Sequence, residues 1–130
     1  MKGSCLCGKC IFEIPDNPGQ INKCHCNKCR KLSGTASNAV FWLEPDELVW
    51  LLGVDVKKSF VMPDGWESVF CGECGSPLPR LIPNEEWIVP AGTIDGDVQS
   101  SIRAHIFVVN NPRWEVIGDD APQFETVPTE

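Results

Sequence analysis

Hydrophobic positions along the chain come in short runs and never sustain a helical period for three turns. Residues 10–14, 39–43, 48–52, 56–61, 68–70, 87–89 and 102–109 are rich in β-branched and aromatic side chains, which suit a pleated, half-buried strand. Between these runs, Pro15-Asp16-Asn17-Pro18-Gly19, Pro63-Asp64-Gly65 and Asp95-Gly96-Asp97 supply turn chemistry, because proline pre-sets one backbone angle and glycine accepts the left-handed one. Helix is expected only over residues 27–32. One helical turn can start at Glu44-Pro45-Asp46-Glu47, where proline occupies the first helical position. The pattern predicts a mainly β fold in a small single domain over residues 1–118. The polar, proline-bearing residues 119–130 are expected to form a loosely held tail.

Composition narrows the function classes. The chain has 130 residues, 42% of them hydrophobic, enough for one modest core and no second domain. Eleven basic against eighteen acidic residues give a formal charge of −7, which opposes a broad grip on nucleic acid or anionic lipid. No run of about eighteen apolar residues exists to span a membrane. Eight cysteines are too many for an ordinary core, and the opening Met1-Lys2-Gly3-Ser4-Cys5 contains no apolar stretch of a secretory signal. The expected compartment is therefore the cytoplasm, with thiols kept reduced and used as metal ligands or catalytic groups. No P-loop, G-x-S-x-G or dinucleotide-type glycine pattern occurs.

The cysteines form three groups: Cys5, Cys7 and Cys10; Cys24, Cys26 and Cys29; and Cys71 with Cys74. Cys71-Gly72-Glu73-Cys74-Gly75 has the form of a zinc knuckle, a tight turn that aims two sulfurs at one point. Two thiolates leave a tetrahedral shell half filled, and Cys5-Leu6-Cys7-Gly8 is the matching partner. A closed, structural zinc on Cys5, Cys7, Cys71 and Cys74 would close a loop of about 65 residues, a constraint worth about 4 kcal/mol by analogy with a cross-link of that span. A redox pair or isolated core thiols are the plainer readings of these four.

Cys24, Cys26 and Cys29 offer three corners of a tetrahedron within six residues. A second zinc there would have a fourth position for water at rest and a substrate sulfur at work, making the three cysteines a catalytic set. The competing readings are a purely structural zinc capped by His25 or Cys10, or three thiols without metal. Lys23, Lys28, Arg30 and Lys31 place four of the eleven basic residues around this motif, a local reversal of charge that suits a small anionic thiol, or else a solvated face. His105 reads as a histidine hydrogen-bonded at the edge of the core, with proton transfer as its functional alternative.

Gly3-Ser4-Cys5-Leu6-Cys7-Gly8, Cys24-His25-Cys26-Asn27-Lys28-Cys29-Arg30 with Ser33-Gly34, and Phe70-Cys71-Gly72-Glu73-Cys74-Gly75-Ser76-Pro77-Leu78 together resemble the glutathione-dependent formaldehyde-activating (Gfa-like, or centromere-protein-V-type) family. His105-Ile106-Phe107-Val108 followed by Pro112-Arg113-Trp114 is similar to that family's closing segment, and the chain looks like one of its short members. The resemblance implies twisted antiparallel sheets, a structural zinc on Cys5, Cys7, Cys71 and Cys74, and a second zinc on Cys24, Cys26 and Cys29. It also implies carbon–sulfur lyase-type chemistry, the reversible joining of formaldehyde to the glutathione thiol to give S-hydroxymethylglutathione. Its expected partner is a small anionic thiol such as glutathione, with no nucleic acid and no membrane. A non-catalytic, zinc-stabilised protein-binding module is the rival from another class.

Overall fold

The alternation of side chains along the two central strands explains how the molecule divides into a core and a cavity. In the computed structural model, which describes residues 1–83 and 85–128, β4 (Asn38–Leu43) pairs antiparallel with β9 (Trp87–Pro90), Phe41 opposite Val89 and Leu43 opposite Trp87. These four are buried together with Phe12, Ile14 and Leu48 in the main core. Successive strand residues point to opposite faces, so Asn38, Val40, Trp42 and Ile88 face the other way and line a cavity. One sheet thus supplies both the packing face and the binding face.

That sheet has five strands in the order β10-β3-β4-β9-β8, with β3 (Ile21–Cys24), β8 (Arg80–Leu81) and β10 (Ile102–Ile106) completing it. A second sheet, β1 (Lys2–Ser4), β2 (Ile11–Glu13) and β5 (Val49–Leu52), closes the core from the opposite side. The hairpin of β6 (Lys57–Val61) and β7 (Glu67–Cys71) stands apart. A smaller core gathers Cys5, Cys10, Val69, Cys71 and Leu78. The fold is mainly β, with one α-helix among the described residues, α1 (Asn27–Ser33). Pairing is antiparallel except between β3 and β10, which run parallel. A 3-10 turn occupies Pro45–Glu47, where the helical turn was expected.

Three strands escape the hydrophobic pattern. β1 (Lys2, Gly3, Ser4) has no apolar side chain and takes its conformation from pairing with β2, where Gly3 leaves room for the end of the Phe12 ring; a Cβ there would collide with that ring. β3 carries one apolar residue, Ile21, and takes its conformation from pairing with β4 and β10. β8 has only two residues. Conversely, the run expected as strand over 102–109 ends at Ile106, because Phe107 adopts a left-handed conformation (φ 56°) that turns the chain into Val108–Asn110.

Residues 122–126 are hydrogen-bonded to β10 and the residue after it. His105 N–H donates to Pro122 O (2.9 Å), Phe124 N–H to His105 O (2.9 Å), and Phe107 N–H to Thr126 O (2.8 Å). The tail lies along the outer edge of β10 and satisfies backbone groups that an edge strand would otherwise present to solvent. No helix among the described residues is long and apolar enough to cross a membrane.

Candidate functional site

The first sulfur group forms where the turn after β1 meets the turn after β7. The Sγ atoms of Cys5, Cys7, Cys71 and Cys74 all lie within 4.8 Å of one another. Cys5 and Cys7 sulfurs are 3.6 Å apart, and those of Cys7 and Cys71 3.8 Å. A tetrahedron with metal–sulfur bonds of about 2.3 Å has sulfur–sulfur edges of about 3.8 Å, so four thiolates here fit one ion. Backbone N–H groups aim at the sulfurs: Cys10 at Cys5 (3.3 Å), Cys7 at Cys74 (3.4 Å) and Glu73 at Cys71 (3.4 Å). Such donors favour thiolate. At Cys74 the Ser76 hydroxyl and backbone, with the Cys7 N–H, hold the thiol down at about 5. Cys10 is fully buried beside this group yet outside it, its thiol donating to Gly53 O (3.5 Å) and pushed up to about 12 by burial.

The second group sits where β3 runs into α1. Cys24 ends β3, Cys26 is the N-cap of α1 with its sulfur accepting from Cys29 N–H (3.4 Å), and Cys29 is buried on the helix. A seven-residue helix gains little from propensity alone. Here Gly34, left-handed at φ 70°, returns its N–H to Arg30 O and closes the far end. The three sulfurs lie within 4.8 Å of one another, and no further His, Cys, Asp or Glu donor among the described residues joins them. Neither residue considered as a cap reaches this group: Cys10 lies with the first set, and His25 points away. The Cys29 thiol next to Cys24 lowers Cys24 to about 6, against burial and with help from Cys26 and Arg80, while the same pairing raises Cys29. All eight cysteines are free of disulfides.

The triplet opens into a cavity of about 530 Å³. Its walls are largely apolar, with Val40, Trp42, Ile88, Ile106 and Phe107 surrounding a few polar groups, the usual composition of a small-molecule site. Asn22 and Asn38 face it from adjacent strands and are buried. Neither stood out in the sequence, since a lone asparagine in a short strand carries no signal until pairing places it. Of the basic cluster, only Lys28 lines this cavity, and it is ion-paired with Asp64. Arg30 donates to Asn110 O (3.2 Å), and Lys31 lines a neighbouring groove with Leu32, Phe60 and Met62. The basic motif therefore does not converge on the sulfurs.

Behind the triplet runs a buried polar chain that the sequence only hinted at through His105. Both histidines are 1% exposed. Asn111 Nδ2 donates to Glu115 O (3.0 Å), so its Oδ1 is the acceptor for His25 Nδ1–H (2.8 Å). His105 Nε2–H donates to both Asp119 oxygens (3.0 Å each), so a single proton is shared between His25 Nε2 and His105 Nδ1, 2.9 Å apart. The Asp119 carboxylate on one side and the burial of His25 on the other favour that proton on the His105 side. Burial, foremost, lowers His25 from its ordinary value, consistent with a neutral ring. Because His25 sits between Cys24 and Cys26, the tail residue Asp119 is tied through two rings to the sulfur-bearing loop.

Comparison with known proteins agrees with this arrangement. The family model described as "Glutathione-dependent formaldehyde-activating enzyme" matches residues 1–110. A crystal structure of a Rhodobacter sphaeroides protein, a Northeast Structural Genomics target, has the same fold: TM-score 0.63 at 20% identity, covering 78% of this chain and 99% of that one. A search of curated proteins finds no match. With two clusters of cysteines that could each hold a metal ion, set in a mainly β fold, the chain belongs to the glutathione-dependent formaldehyde-activating enzyme family.

Proposed function

We propose that the protein is a zinc-dependent carbon–sulfur lyase-type enzyme, S-hydroxymethylglutathione synthase-like, that joins or cleaves an adduct of a small glutathione-like thiol and an aldehyde in the cytoplasm. Cys5, Cys7, Cys71 and Cys74 would hold a structural zinc, and Cys24, Cys26 and Cys29 a second, catalytic one. One observation carries the reading: three sulfurs with no fourth His, Cys, Asp or Glu donor among the described residues open into a largely apolar cavity. Bound there, zinc would keep an incoming thiol as thiolate at neutral pH and provide Lewis acidity.

The chain's own residues supply the rest. Val40, Trp42, Ile88, Ile106 and Phe107 hold the reactants together and limit competing water. Asn22 Oδ1 accepts from Arg103 Nη1 (3.3 Å), leaving its amide hydrogens as donors toward an aldehyde oxygen in the cavity. In the joining direction the sulfur pair forms the new C–S bond, the C=O π pair moves onto oxygen, and the proton lost by the thiol ends on that oxygen. No oxidant or reductant is consumed.

The test follows exchange between free formaldehyde, glutathione and their adduct by NMR, in the wild type and in Cys26→Ser. The wild type should accelerate exchange, and Cys26→Ser should abolish the acceleration, lose one metal by native mass spectrometry and keep its fold. Unchanged exchange in Cys26→Ser would remove the triplet from the chemistry.

A further inference from the structure

We infer that Arg80, and not the basic helix, is the specificity-determining residue that recognises a carboxylate on the thiol ligand. This rests on the reading that the triplet's cavity takes a thiol. Arg80 is on β8 opposite Ile88 of β9, and Ile82 N–H bonds Glu86 O further along the same hairpin. Strand alternation therefore puts Arg80, Ile82, Ile88 and Glu86 on one face, and all four line the cavity that holds Cys24, Cys26 and Cys29.

The guanidinium is half-buried and forms no ion pair with a carboxylate: no acidic oxygen among the described residues lies within 4 Å of it, and the negative groups that act on it from further off are Glu67 and the three cysteines themselves. Its close neighbour is the Trp66 ring, whose centroid is 5.2 Å away. Burial pulls it down from its ordinary value. A stacked arginine keeps its planar fork free for two parallel hydrogen bonds, the geometry that a carboxylate matches. The other cations near the triplet are already engaged, Lys28 by Asp64 and Arg30 by the Asn110 carbonyl. Glu86 stands two residues further along the hairpin, roughly 7 Å by strand geometry, and repels a second anionic group from that end. The cavity wall thus places beside the sulfurs one positive charge whose fork is not taken by a carboxylate, and further along the hairpin one negative charge, a pattern that selects a thiol whose carboxylate lies close to its sulfur end.

The experiment uses cobalt(II)-loaded protein titrated with 3-mercaptopropionate and with 2-mercaptoethanol, read by sulfur-to-cobalt charge-transfer absorption. The wild type should bind the carboxylate thiol at least roughly tenfold more tightly, the scale of a charge-assisted pair. Arg80→Gln should erase that preference while leaving 2-mercaptoethanol affinity unchanged, Arg80→Lys should restore part of it, and Lys31→Gln should leave both affinities as they are. A preference that survives Arg80→Gln, or an equal loss for both thiols, overturns the proposal. A second arm uses 3-(methylthio)propionate, which keeps the carboxylate but has no ionisable thiol, and follows the Arg80 Nε–H resonance by NMR. If this thioether shifts Arg80 while neither thiol alters the cobalt spectrum, Arg80 recognition stands and the thiol-binding reading fails. If both thiols alter the spectrum while the thioether leaves Arg80 unmoved, the thiol reading stands and the role of Arg80 fails.

Discussion

The two sulfur groups use one residue type to opposite ends. Cys5, Cys7, Cys71 and Cys74 come from turns more than sixty residues apart and meet as four, with Cys5 and Cys71 buried in the smaller core, Cys74 packed against it and Cys7 exposed. Cys24, Cys26 and Cys29 come from one strand–helix junction, meet as three, and border a cavity. Four sulfurs that join distant segments do the work of a cross-link in a chain with little core to spare. Three sulfurs that are already neighbours in sequence add little to topology, and what they offer is a coordination position. On the function proposed above, span along the chain and number of donors, more than the presence of cysteine, would separate a structural centre from a chemical one.

This contrast predicts its largest effect at Cys74. Structural zinc sites contribute on the order of 10 kcal/mol of folding free energy, comparable with the whole stability of a small domain. Cys74→Ser should therefore leave the chain unfolded, by loss of dispersed NMR resonances and of cooperative melting. Cys26→Ser should lose one metal and retain both. Equal unfolding in the two variants would erase the distinction between the centres.

Much of the first group was legible because C-x-x-C-Gly is a local turn signal, and the family motifs that carry it are consecutive in the chain. The strands built around Phe41, Leu43 and Val89 were legible for the same kind of reason: their apolar residues are contiguous. What the sequence hid is whatever depends on pairing. β3 has a polar face because β4 and β10 flank it, Asn22 and Asn38 become cavity walls only through that pairing, and Arg80 reaches the triplet from a two-residue strand. The basic residues around Cys29 misled because proximity in sequence was taken for convergence in space, whereas a short helix turns successive side chains to different sides. The hydrogen bonds from residues 122–126 to β10 were not legible either, because polar, proline-bearing composition says nothing about an edge strand whose backbone groups need partners.

The next largest effect belongs to Gly53, which clasps the first cysteine turn. It has φ 86°, and a Cβ there would press on the Lys9 carbonyl oxygen and lie 2.8 Å from Cys10 Cα. Both obstacles are backbone and cannot swing aside. Gly53→Ala should cost about 3 kcal/mol, read by chemical denaturation of the metal-loaded protein, whereas Gly34→Ala, with open space around its Cβ position, should cost about 1 kcal/mol from its left-handed backbone alone. Similar costs at the two sites would mean that the first turn is not clasped as tightly as its contacts indicate.

A smaller effect distinguishes the second region. Asp119→Ala removes the carboxylate from buried His105 and should destabilise the protein less than Gly53→Ala does, with the Pro122–Thr126 segment gaining amide exchange. With only two histidines in the chain, long-range nitrogen NMR can read each ring directly. His105 should show two protonated nitrogens in the wild type and lose that signature in the variant, a change that general loosening of the tail would not produce in His25 and His105 differently. The Ala121 N–H and then the His105 ring hold the Asp119 carboxyl below its usual range. Its contribution is therefore present above the ordinary aspartate value and is lost as pH falls through the depressed folded value, so tail release should occur below about pH 4.

Cys10 gives the smallest effect and the sharpest check on the partition of the cysteines. It is completely buried, its backbone N–H serves the Cys5 sulfur, and its own thiol turns instead to the Gly53 carbonyl. Cys10→Ala keeps the N–H, removes a weak S–H donor and leaves a space smaller than a methylene group or two, so it should cost about 1 kcal/mol. Metal stoichiometry by native mass spectrometry should match the wild type, because no sulfur of either set has been touched. Loss of one metal would make Cys10 a ligand and dissolve the contrast between a closed and an open centre; an unchanged count confines the buried thiol to packing and leaves the coordination position at Cys24, Cys26 and Cys29 without a claimant from the protein.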